Sequence, residues 1–413
     1  MNDRVILHSD MNCFYASVEL MLHPELRGKA VAVCGATESR HGIVLAKSEL
    51  AKRAGIKTGM VNWEAQRLCP GLILIPPHFE QYIKYSKLAR DLYLRYTDFV
   101  EPYGLDECFL DVSGSTDVYG SGRAIAEDIR KTVKDELGLT VSIGVSFNKV
   151  FAKLGSDMKK PDAITEITRE NFRDKVWCLP VSDLLYVGRA TAAKLARFGV
   201  HTIGELAALP PEFLQRQLGV NGLTLHTYAN GLDTSRVMDK DFVAPVKSVG
   251  HGITCVADLL TEEEVWLVML ELSQDIGHKL REYGLWATGV QITVKDNALE
   301  HRQYQAPLHY SSQNPMDIAK LARRIFSDNY DWHLPVRAVT VRAINLIPCR
   351  SPEQLNLFDD PGKLERSEKL FDCVEDLRRR FGKHSVGPAS LIGYIKMPAY
   401  RDHELTLPGL LKG

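Results

Sequence analysis

Asp10 and the adjacent pair Asp106 and Glu107 are the residues whose type and spacing best suit phosphoryl chemistry. Each borders a short, mainly apolar run. Residues 5–7 precede Asp10, and residues 108–112 follow the Asp106-Glu107 pair. Three such acids can hold two divalent cations about 3.5–4 Å apart, the arrangement that serves in-line nucleotidyl transfer. Mg²⁺ suits this role because it takes one or two carboxylates and leaves its other positions to water and phosphate oxygens. The same spacing also fits strand-end acids that only cap loops, so the surrounding elements must decide.

The hydrophobic pattern around these acids predicts a β-α-β-β-α-β order once an insertion at 23–76 is set aside. The predicted strands and helices are, in that order, 4–11, 80–96, 99–104, 107–112, 122–137 and 140–145, with further helices at 13–22 and 149–158. This is the order of the ferredoxin-like split βαβ fold, an α+β arrangement. Its antiparallel centre brings the end of the first strand beside the turn between the second and third. We therefore expect Asp10, Asp106 and Glu107 to share one edge of the sheet.

The composition is typical of a soluble protein with several domains. A chain of 413 residues should form roughly two to four domains. We expect a cytoplasmic protein without membrane contact, because no apolar run approaches the roughly 18–20 residues of a membrane span and the N-terminus lacks signal-peptide features. The eight cysteines are scattered, so we expect reduced thiols and no zinc site. The net charge of −1 leaves any DNA contact to locally placed cations.

The motifs around the three acids resemble those of a known family. Residues 10–19 (DMNCFYASVE) and 106–112 (DECFLDV) are similar to the two palm motifs of Y-family (DinB/UmuC-type) translesion DNA polymerases, and residues 144–149 with 157–161 resemble a third motif. The resemblance implies a multidomain right-hand polymerase with a ferredoxin-like palm, small fingers, a helical thumb with a helix-hairpin-helix, and an α+β little finger. The expected domains are a palm at 1–22 and 77–165, fingers at 23–76, a thumb at 166–235, a linker at 236–248, a little finger at 249–347 and a C-terminal tail at 348–413.

The resemblance also implies the catalytic residues. Asp10, Asp106 and Glu107 would hold two Mg²⁺ ions together with the main-chain carbonyl of Met11. In the family's mechanism one ion activates the primer 3′-hydroxyl and the other holds the triphosphate and the pyrophosphate leaving group. The role of Glu107, as ligand or as orienting group, stays open.

A second set of residues is expected to contact the incoming nucleotide. These residues are Asn12, Cys13, Phe14, Tyr15, Lys52 and Lys160. Tyr15 matches the steric gate that excludes a ribose 2′-hydroxyl, although an ordinary core tyrosine is the alternative. The N–H groups of Phe14 and Tyr15 would begin a helix and are natural donors to phosphate. Lys160 matches a triphosphate-binding lysine, whereas Lys52 could instead be a solvated helix lysine.

Four positions depart from the DinB-type pattern. Lysine stands at 52 where many members carry arginine, and glutamate stands at 49 where they carry tyrosine. Asn12 replaces a second aspartate, and Gly104 replaces the usual serine before the acidic pair. Because lysine contacts phosphate without the bidentate fork of arginine, the contact geometry is expected to differ. The pattern at 12, 49 and 52 favours the UmuC-like branch.

Two further segments suggest partners. Gly188 and Arg189 lie in a stretch that resembles a helix-hairpin-helix, whose helix-start amides can approach a DNA phosphate, but a simple packing turn is the alternative. The peptide 354–358 matches a bacterial sliding-clamp motif through Gln354, Leu355, Leu357 and Phe358. The expected partners are therefore primer–template DNA, deoxynucleoside triphosphates and the sliding clamp.

Three functions remain to be separated. The first is template-directed DNA synthesis of low fidelity. The second is a catalytically inert polymerase-like scaffold that binds DNA and the clamp, against which the three clustered acids argue, because they repel one another without metal. The third is another palm enzyme such as a nucleotidyl cyclase, which the thumb-like and clamp-peptide segments disfavour.

Overall fold

The computed structural model describes residues 4–35, 42–349, 351, 360–393 and 395–398. Within these residues the chain divides into two compact units, an N-terminal unit that extends to Ala244 and a C-terminal unit that begins at Pro245. No helix of the described part is long and apolar enough to span a membrane.

The N-terminal unit alternates short strands and helices. In chain order these are β1 (Ile6–Met11), α1 (Phe14–Leu22), β2 (Val31–Cys34), β3 (Val44–Lys47), α2 (Glu49–Arg53), α3 (Asn62–Leu68), β4 (Ile73–Ile75), α4 (Phe79–Tyr93), β5 (Val100–Pro102), β6 (Glu107–Asp111), α5 (Thr116–Tyr119), α6 (Gly122–Leu137), β7 (Val141–Ser146), α7 (Lys149–Met158), β8 (Ile164–Ile167), α8 (Phe172–Val176), α9 (Arg189–Ala196), α10 (Ile203–Ala208), α11 (Pro211–Leu218) and α12 (Val220–Ala229). The predicted β-α-β-β-α-β order is confirmed.

The central sheet of this unit has the order β5-β6-β1-β7-β8, with β1 antiparallel to both β6 and β7. Alternate residues of β1 serve opposite faces. Leu7 belongs to the core formed with α1, α4 and α6, whereas Ile6 packs with Phe109 and with Ala152 of α7. The sequence pattern did not predict β8, which extends the sheet by pairing parallel to β7.

Two smaller layers complete the N-terminal unit. The segment between α1 and α4 forms a three-stranded sheet of order β3-β2-β4 with its own small core around Val44, Ala51 and Ile56. Helices α8 to α12 pack around a separate core that includes Leu195, Ile203 and Leu214. Helix α10 begins at a capping box in which Thr202 and Glu205 satisfy each other's backbone N–H groups.

The C-terminal unit is a four-stranded antiparallel sheet with two helices on one core. Its elements are β9 (Ser248–Leu259), α13 (Glu262–Glu282), β10 (Leu285–Asp296), β11 (His301–Ser312), α14 (Pro315–Asn329), β12 (Val336–Pro348) and α15 (Pro361–Phe381). The strand order is β11-β10-β12-β9.

Helix α15 packs on this unit rather than extending away from it. Glu375 pairs with His278 of α13 at 2.6 Å, Arg378 donates to Gln274 at 3.0 Å, and Phe371 lies under the Arg281 guanidinium. Met397 is buried in the same core as α13 and α14. Residues 361–398 therefore belong structurally to the C-terminal unit.

A candidate metal and nucleotide site at the edge of the central sheet

The pairing register brings the three acids to one edge of the central sheet. Asp10 lies opposite Glu107 across the β1–β6 pair, and the Met11 N–H donates to the Asp106 carbonyl at 2.9 Å. Because β1 is central and both neighbours run antiparallel to it, its end necessarily meets the start of β6. Residues nearly a hundred positions apart thus become neighbours.

Burial and mutual repulsion disfavour the charged forms of two of these acids. Burial and the nearby Asp10 and Glu107 charges raise the pKa of Asp106 to about 6. Burial also raises the pKa of Asp10, against the opposing effect of Lys160. Clustered carboxylates with this electrostatic profile are stabilised by a cation placed between them.

Glu107 is held in its charged form by two partners. Its carboxylate accepts a hydrogen bond from Lys153, and His8 Nε2 lies 3.1 Å from the same oxygen, although out of line for a well-directed hydrogen bond. Burial alone would raise the pKa of Glu107, but the His8 and Lys153 contacts lower it to about 2. Burial in turn lowers the pKa of His8, which favours the neutral imidazole.

The trio does not converge on a single point. Within the described chain, ligand oxygens of Asp10, Asp106 and Glu107 are not all within 4.8 Å of one another. Glu107 instead faces His8 and Lys153, whereas Asp10 contacts Lys160. The acids of the trio therefore have different partners.

Helix α7 packs closely on β7, and this packing places the Lys153 side chain beside Glu107. A Cβ at Gly144 would lie 1.8 Å from the Ala152 carbonyl oxygen, and one at Gly155 would lie 3.1 Å from the Gly144 Cα. Only glycine permits this approach of helix and strand. The approach sets Lys153 beside Glu107 and Ser156 2.8 Å from His8 Nδ1.

Lys160, just beyond α7, lies directly at the acids. Its ammonium donates to Asp10 Oδ2 at 2.7 Å and pairs with Asp157 at 2.9 Å. Burial would lower the pKa of Lys160, but Asp10 and Asp157 together raise it, so the lysine stays charged. A permanent cation therefore lies beside Asp10.

The turn from β1 into α1 exposes a helix N-terminus at the same edge. Cys13 adopts a left-handed conformation with φ 49° as the residue before α1. The first N–H groups of α1, including those of Phe14 and Tyr15, have no partner within the helix and can receive an anion.

Asn12 is held in place by several hydrogen bonds. Its side chain accepts from Ser142 at 2.9 Å and donates to Thr140 at 3.3 Å. Its backbone N–H donates to the Thr140 carbonyl, and its own carbonyl accepts from Ser17. Asn12 therefore helps to fix the end of β1, and its nucleotide contact stays a prediction.

Tyr15 belongs to a cluster of aromatic rings between α1 and α4. Its ring stacks on Tyr82 with centroids 4.2 Å apart and an interplanar angle of 9°. Burial raises the pKa of Tyr15, with a smaller contribution from the Asp106 charge. Tyr15 thus lies near enough to Asp106 for the acid's charge to act on its phenol, and it also packs against the core of the central sheet.

Lys52 is linked to Cys13, the residue before α1, through the carboxylate of Glu49. Glu49 accepts from the Cys13 thiol at 3.2 Å, and Lys52 lies 3.7 Å from the same Glu49 oxygen. Burial and this contact with Glu49 raise the pKa of Cys13 to about 11, so the thiol stays protonated. The two departures at 49 and 52 thus form one local network with Cys13.

The backbone conformation at position 104 explains why this chain has glycine there. Its φ of +117° precedes the acidic pair, and an added Cβ would lie 3.6 Å from Asp106 Oδ1. A serine at this position would be strained in the backbone conformation that this chain adopts. The replacement of the usual serine therefore accompanies a specific turn geometry.

Comparisons with known proteins identify the family of this chain. Family models match residues 9–157 (impB/mucB/samB family), 246–357 (impB/mucB/samB family C-terminal domain) and 182–233 (DNA polymerase-iota, thumb domain). Similar proteins include "DNA polymerase IV" of Acetivibrio thermocellus, 50% identical over 93% of this chain and 96% of that protein. Another is "DNA polymerase IV 1" of Bacillus subtilis, 37% identical over 92% of this chain and 91% of that protein.

This chain belongs to the impB/mucB/samB family, the Y-family of DNA polymerases. A solved Y-family DNA polymerase chimera (Dbh-Dpo4(243-245)-Dbh) shares its fold, with a TM-score of 0.74, 20% identity and coverage of 83% of this chain and 99% of that one. The predicted fold class is confirmed. The UmuC-like placement is not supported, because these Y-family relatives carry the name DNA polymerase IV and are DinB-type.

Two other predictions for this Y-family chain concern DNA and the sliding clamp. Gly188 is the residue before α9, and both Gly188 and Arg189 are exposed, so the helix start is accessible. The clamp motif through Gln354, Leu355, Leu357 and Phe358 lies outside the described residues.

Sequence reasoning missed His8 and Lys153. A signal was present for His8, since it lies two residues before Asp10 on the same face of β1. Lys153 offered no comparable signal, because its contact with Glu107 depends on how closely α7 packs against the sheet.

Proposed function

We propose that this chain is a DNA-directed DNA polymerase that extends a primer 3′ end on a template strand and acts with low fidelity in translesion synthesis. The observation that carries this proposal is the β1–β6 register, which sets Asp10 opposite Glu107 and Asp106 beside Met11 within a Y-family fold.

The donor set at this edge fits Mg²⁺. Asp10, Asp106 and the Met11 carbonyl offer only oxygen ligands, the type that this hard cation prefers. Burial and the like charges of Asp10 and Glu107 raise the pKa of Asp106 to about 6. A divalent ion bound between these carboxylates would offset this repulsion. We infer two ions, which when bound would acidify the primer hydroxyl and neutralise the triphosphate.

The protein's own residues would then orient the reactants. Lys160, held 2.7 Å from Asp10, would exchange part of this contact for the triphosphate. The N–H groups of Phe14 and Tyr15 at the start of α1 would donate to phosphate oxygens, and Lys52 would approach from α2. Glu107, restrained by Lys153, would orient the primer side of the site.

Selection and tethering would depend on other surfaces. The Tyr15 ring, fixed by its stack on Tyr82, would exclude a ribose 2′-hydroxyl. The exposed start of α9 at Gly188 and Arg189 would contact the DNA backbone without reading sequence. The peptide 354–358 would bind the sliding clamp and keep the polymerase on its template.

Primer extension with Mg²⁺ tests the proposal. We expect wild-type protein to add deoxynucleotides and Asp106→Ala to lose the activity. Asp117→Ala, the same change at an exposed acid of α5, is the matched control and should retain it. Lack of nucleotide addition by the wild-type protein with primed template and clamp would favour the inert scaffold instead.

A further inference from the structure

A second group of potential metal ligands lies at the junction of α1 and α4. One ligand atom each of Glu19, His23 and His78 lies within 4.8 Å of the others. Glu19 and His23 are one helical turn apart at the end of α1, and His78 immediately precedes α4. None of these residues takes part in the polymerase site described above.

Glu19 is a fully buried carboxylate at the centre of this group. One of its oxygens, Oε1, accepts a hydrogen bond from the Tyr82 hydroxyl. The other, Oε2, lies 3.0 Å from His78 Nδ1 and 4.0 Å from His23 Nε2. His78 Nδ1 lies 3.0 Å from Oε1 as well, so His78 contacts both carboxylate oxygens, whereas His23 approaches Oε2.

A second carboxylate lies beside the His23 ring. His23 Nδ1 lies 3.3 Å from Glu25 Oε1, a charge contact without hydrogen-bond alignment, while Nε2 faces Glu19. Metal-bound histidines commonly donate their second ring N–H to a carboxylate, which fixes the tautomer and the ring orientation. The 4.0 Å gap between Nε2 and Oε2 is too long for a hydrogen bond.

The spacing of the group suits a tetrahedral ion. Metal–ligand bonds of roughly 2.0–2.2 Å place neighbouring ligand atoms about 3.3 Å apart, between the 3.0 Å and 4.0 Å found here. The side chains of His23 and His78 are 40% and 48% exposed, so small rotations can close the gap and solvent can reach the ion.

We propose that Glu19, His23 and His78 bind a divalent transition metal ion such as Zn²⁺, with Glu25 as the residue that orients His23. Two imidazoles and one carboxylate form a donor set that zinc accepts, with a fourth position left to water. Mg²⁺ prefers all-oxygen ligands, so the two metal sites of this chain select different ions. The ion would join the C-terminal end of α1 to the N-terminal end of α4. These two helices also contact each other through the stacked rings of Tyr15 in α1 and Tyr82 in α4.

Zinc binding by the full chain in excess Mg²⁺ tests this proposal. We expect isothermal titration with ZnCl₂ to show a site that His23→Ala weakens at least about tenfold, and Glu25→Gln to weaken it by about 10–100-fold. The matched control is His333→Ala, which removes an exposed histidine 3.7 Å from Asp331 in the C-terminal unit and should leave binding unchanged. Zinc should also raise the melting temperature of the wild type and His333→Ala but not of His23→Ala.

Two results would overturn the proposal. One is equal zinc affinity in the wild type and His23→Ala, with both variants folded by circular dichroism. The other is a Co²⁺ spectrum dominated by thiolate charge-transfer bands, which would assign binding to cysteines such as the exposed Cys178 or Cys373. Both outcomes are independent of polymerase activity, so failure of one proposal would leave the other intact.

Discussion

Replacing Gly144 by alanine should displace Lys153 from its contact with Glu107, one of the three acids of the candidate site. The added Cβ would lie 1.8 Å from the Ala152 carbonyl oxygen and 2.6 Å from the Ser156 N–H nitrogen, both backbone atoms of α7. Ordinary contact begins at 3.4 Å, so α7 and β7 must separate by roughly 1.6 Å. Lys153 and Ser156, which contact Glu107 and His8, would move with the helix.

The expected magnitudes follow from this displacement. Overpacking of a tightly packed core should lower the free energy of unfolding by about 1–3 kcal/mol. A misplacement of about 1 Å in a catalytic arrangement can lower the rate about 10²-fold, so kcat for single-nucleotide addition should fall by that order. Gly155→Ala should be milder, because its Cβ would lie at 3.1–3.5 Å from its neighbours.

Urea denaturation and single-turnover primer extension measure the two effects. Extension is assayed where denaturation shows the variant folded, so that lost activity is not lost protein. Gly71→Ala, at a position with no atom within 4 Å of the added Cβ, is the control and should match the wild type. Wild-type rate and stability in Gly144→Ala, or a larger effect in Gly155→Ala, would refute the packing argument.

Three other perturbations address separate features. Tyr15→Ala should raise ribonucleotide incorporation, measured as the ratio of kcat/KM for ribo- and deoxynucleotides; an unchanged ratio would place the gate elsewhere. Deleting residues 354–358 should reduce clamp-stimulated processive synthesis but not single-nucleotide addition, and equal loss of both would contradict a tethering role. The contact between His278 and Glu375 should stabilise α15 over a limited pH range. The hydrogen bond to Glu375 raises the pKa of His278 above 6.5, so its contribution is present below that pH and is lost as pH rises through the raised value. The pKa of Glu375 is lowered from 4.5, burial being outweighed by His278 and Arg378, so its contribution is lost as pH falls through the lowered value. Hydrogen exchange of α15 in wild type and His278→Gln should therefore differ near pH 5.5 and converge at high pH; a constant difference would argue against the ion pair.

Much of the palm could be predicted because local patterns determine it. Ile125, Ile129 and Val133 repeat every four residues and are fully buried on one face of α6, as the spacing required. The alternation in β1 likewise sends Leu7 and Ile6 to opposite faces. From such elements the split βαβ order follows, and with it the meeting of Asp10 and Glu107.

The electrostatic surroundings of the acids could not be predicted in the same way. The predicted nucleotide contact of Asn12 rested on its position beside Asp10, whereas its partners Thr140 and Ser142 lie about 130 residues later. The tail predicted at 348–413 contains α15, whose contacts with α13 involve Phe371, Glu375 and Arg378. These contacts depend on side-chain geometry between elements, about which hydrophobic periodicity carries no information.

The sequence by itself predicted where the three acids lie along the strands and which edge they share, because an antiparallel centre brings the end of β1 beside the start of β6. Only the tertiary structure showed which charged side chain contacts each acid. Lys153 contacts Glu107 and Lys160 contacts Asp10 because Gly144 and Gly155 let α7 approach the sheet closely. The same holds for Glu19, His23 and His78, which become neighbours only when α4 packs beside α1. The sequence specifies the type of each side chain, but the distances between side chains depend on how the elements pack.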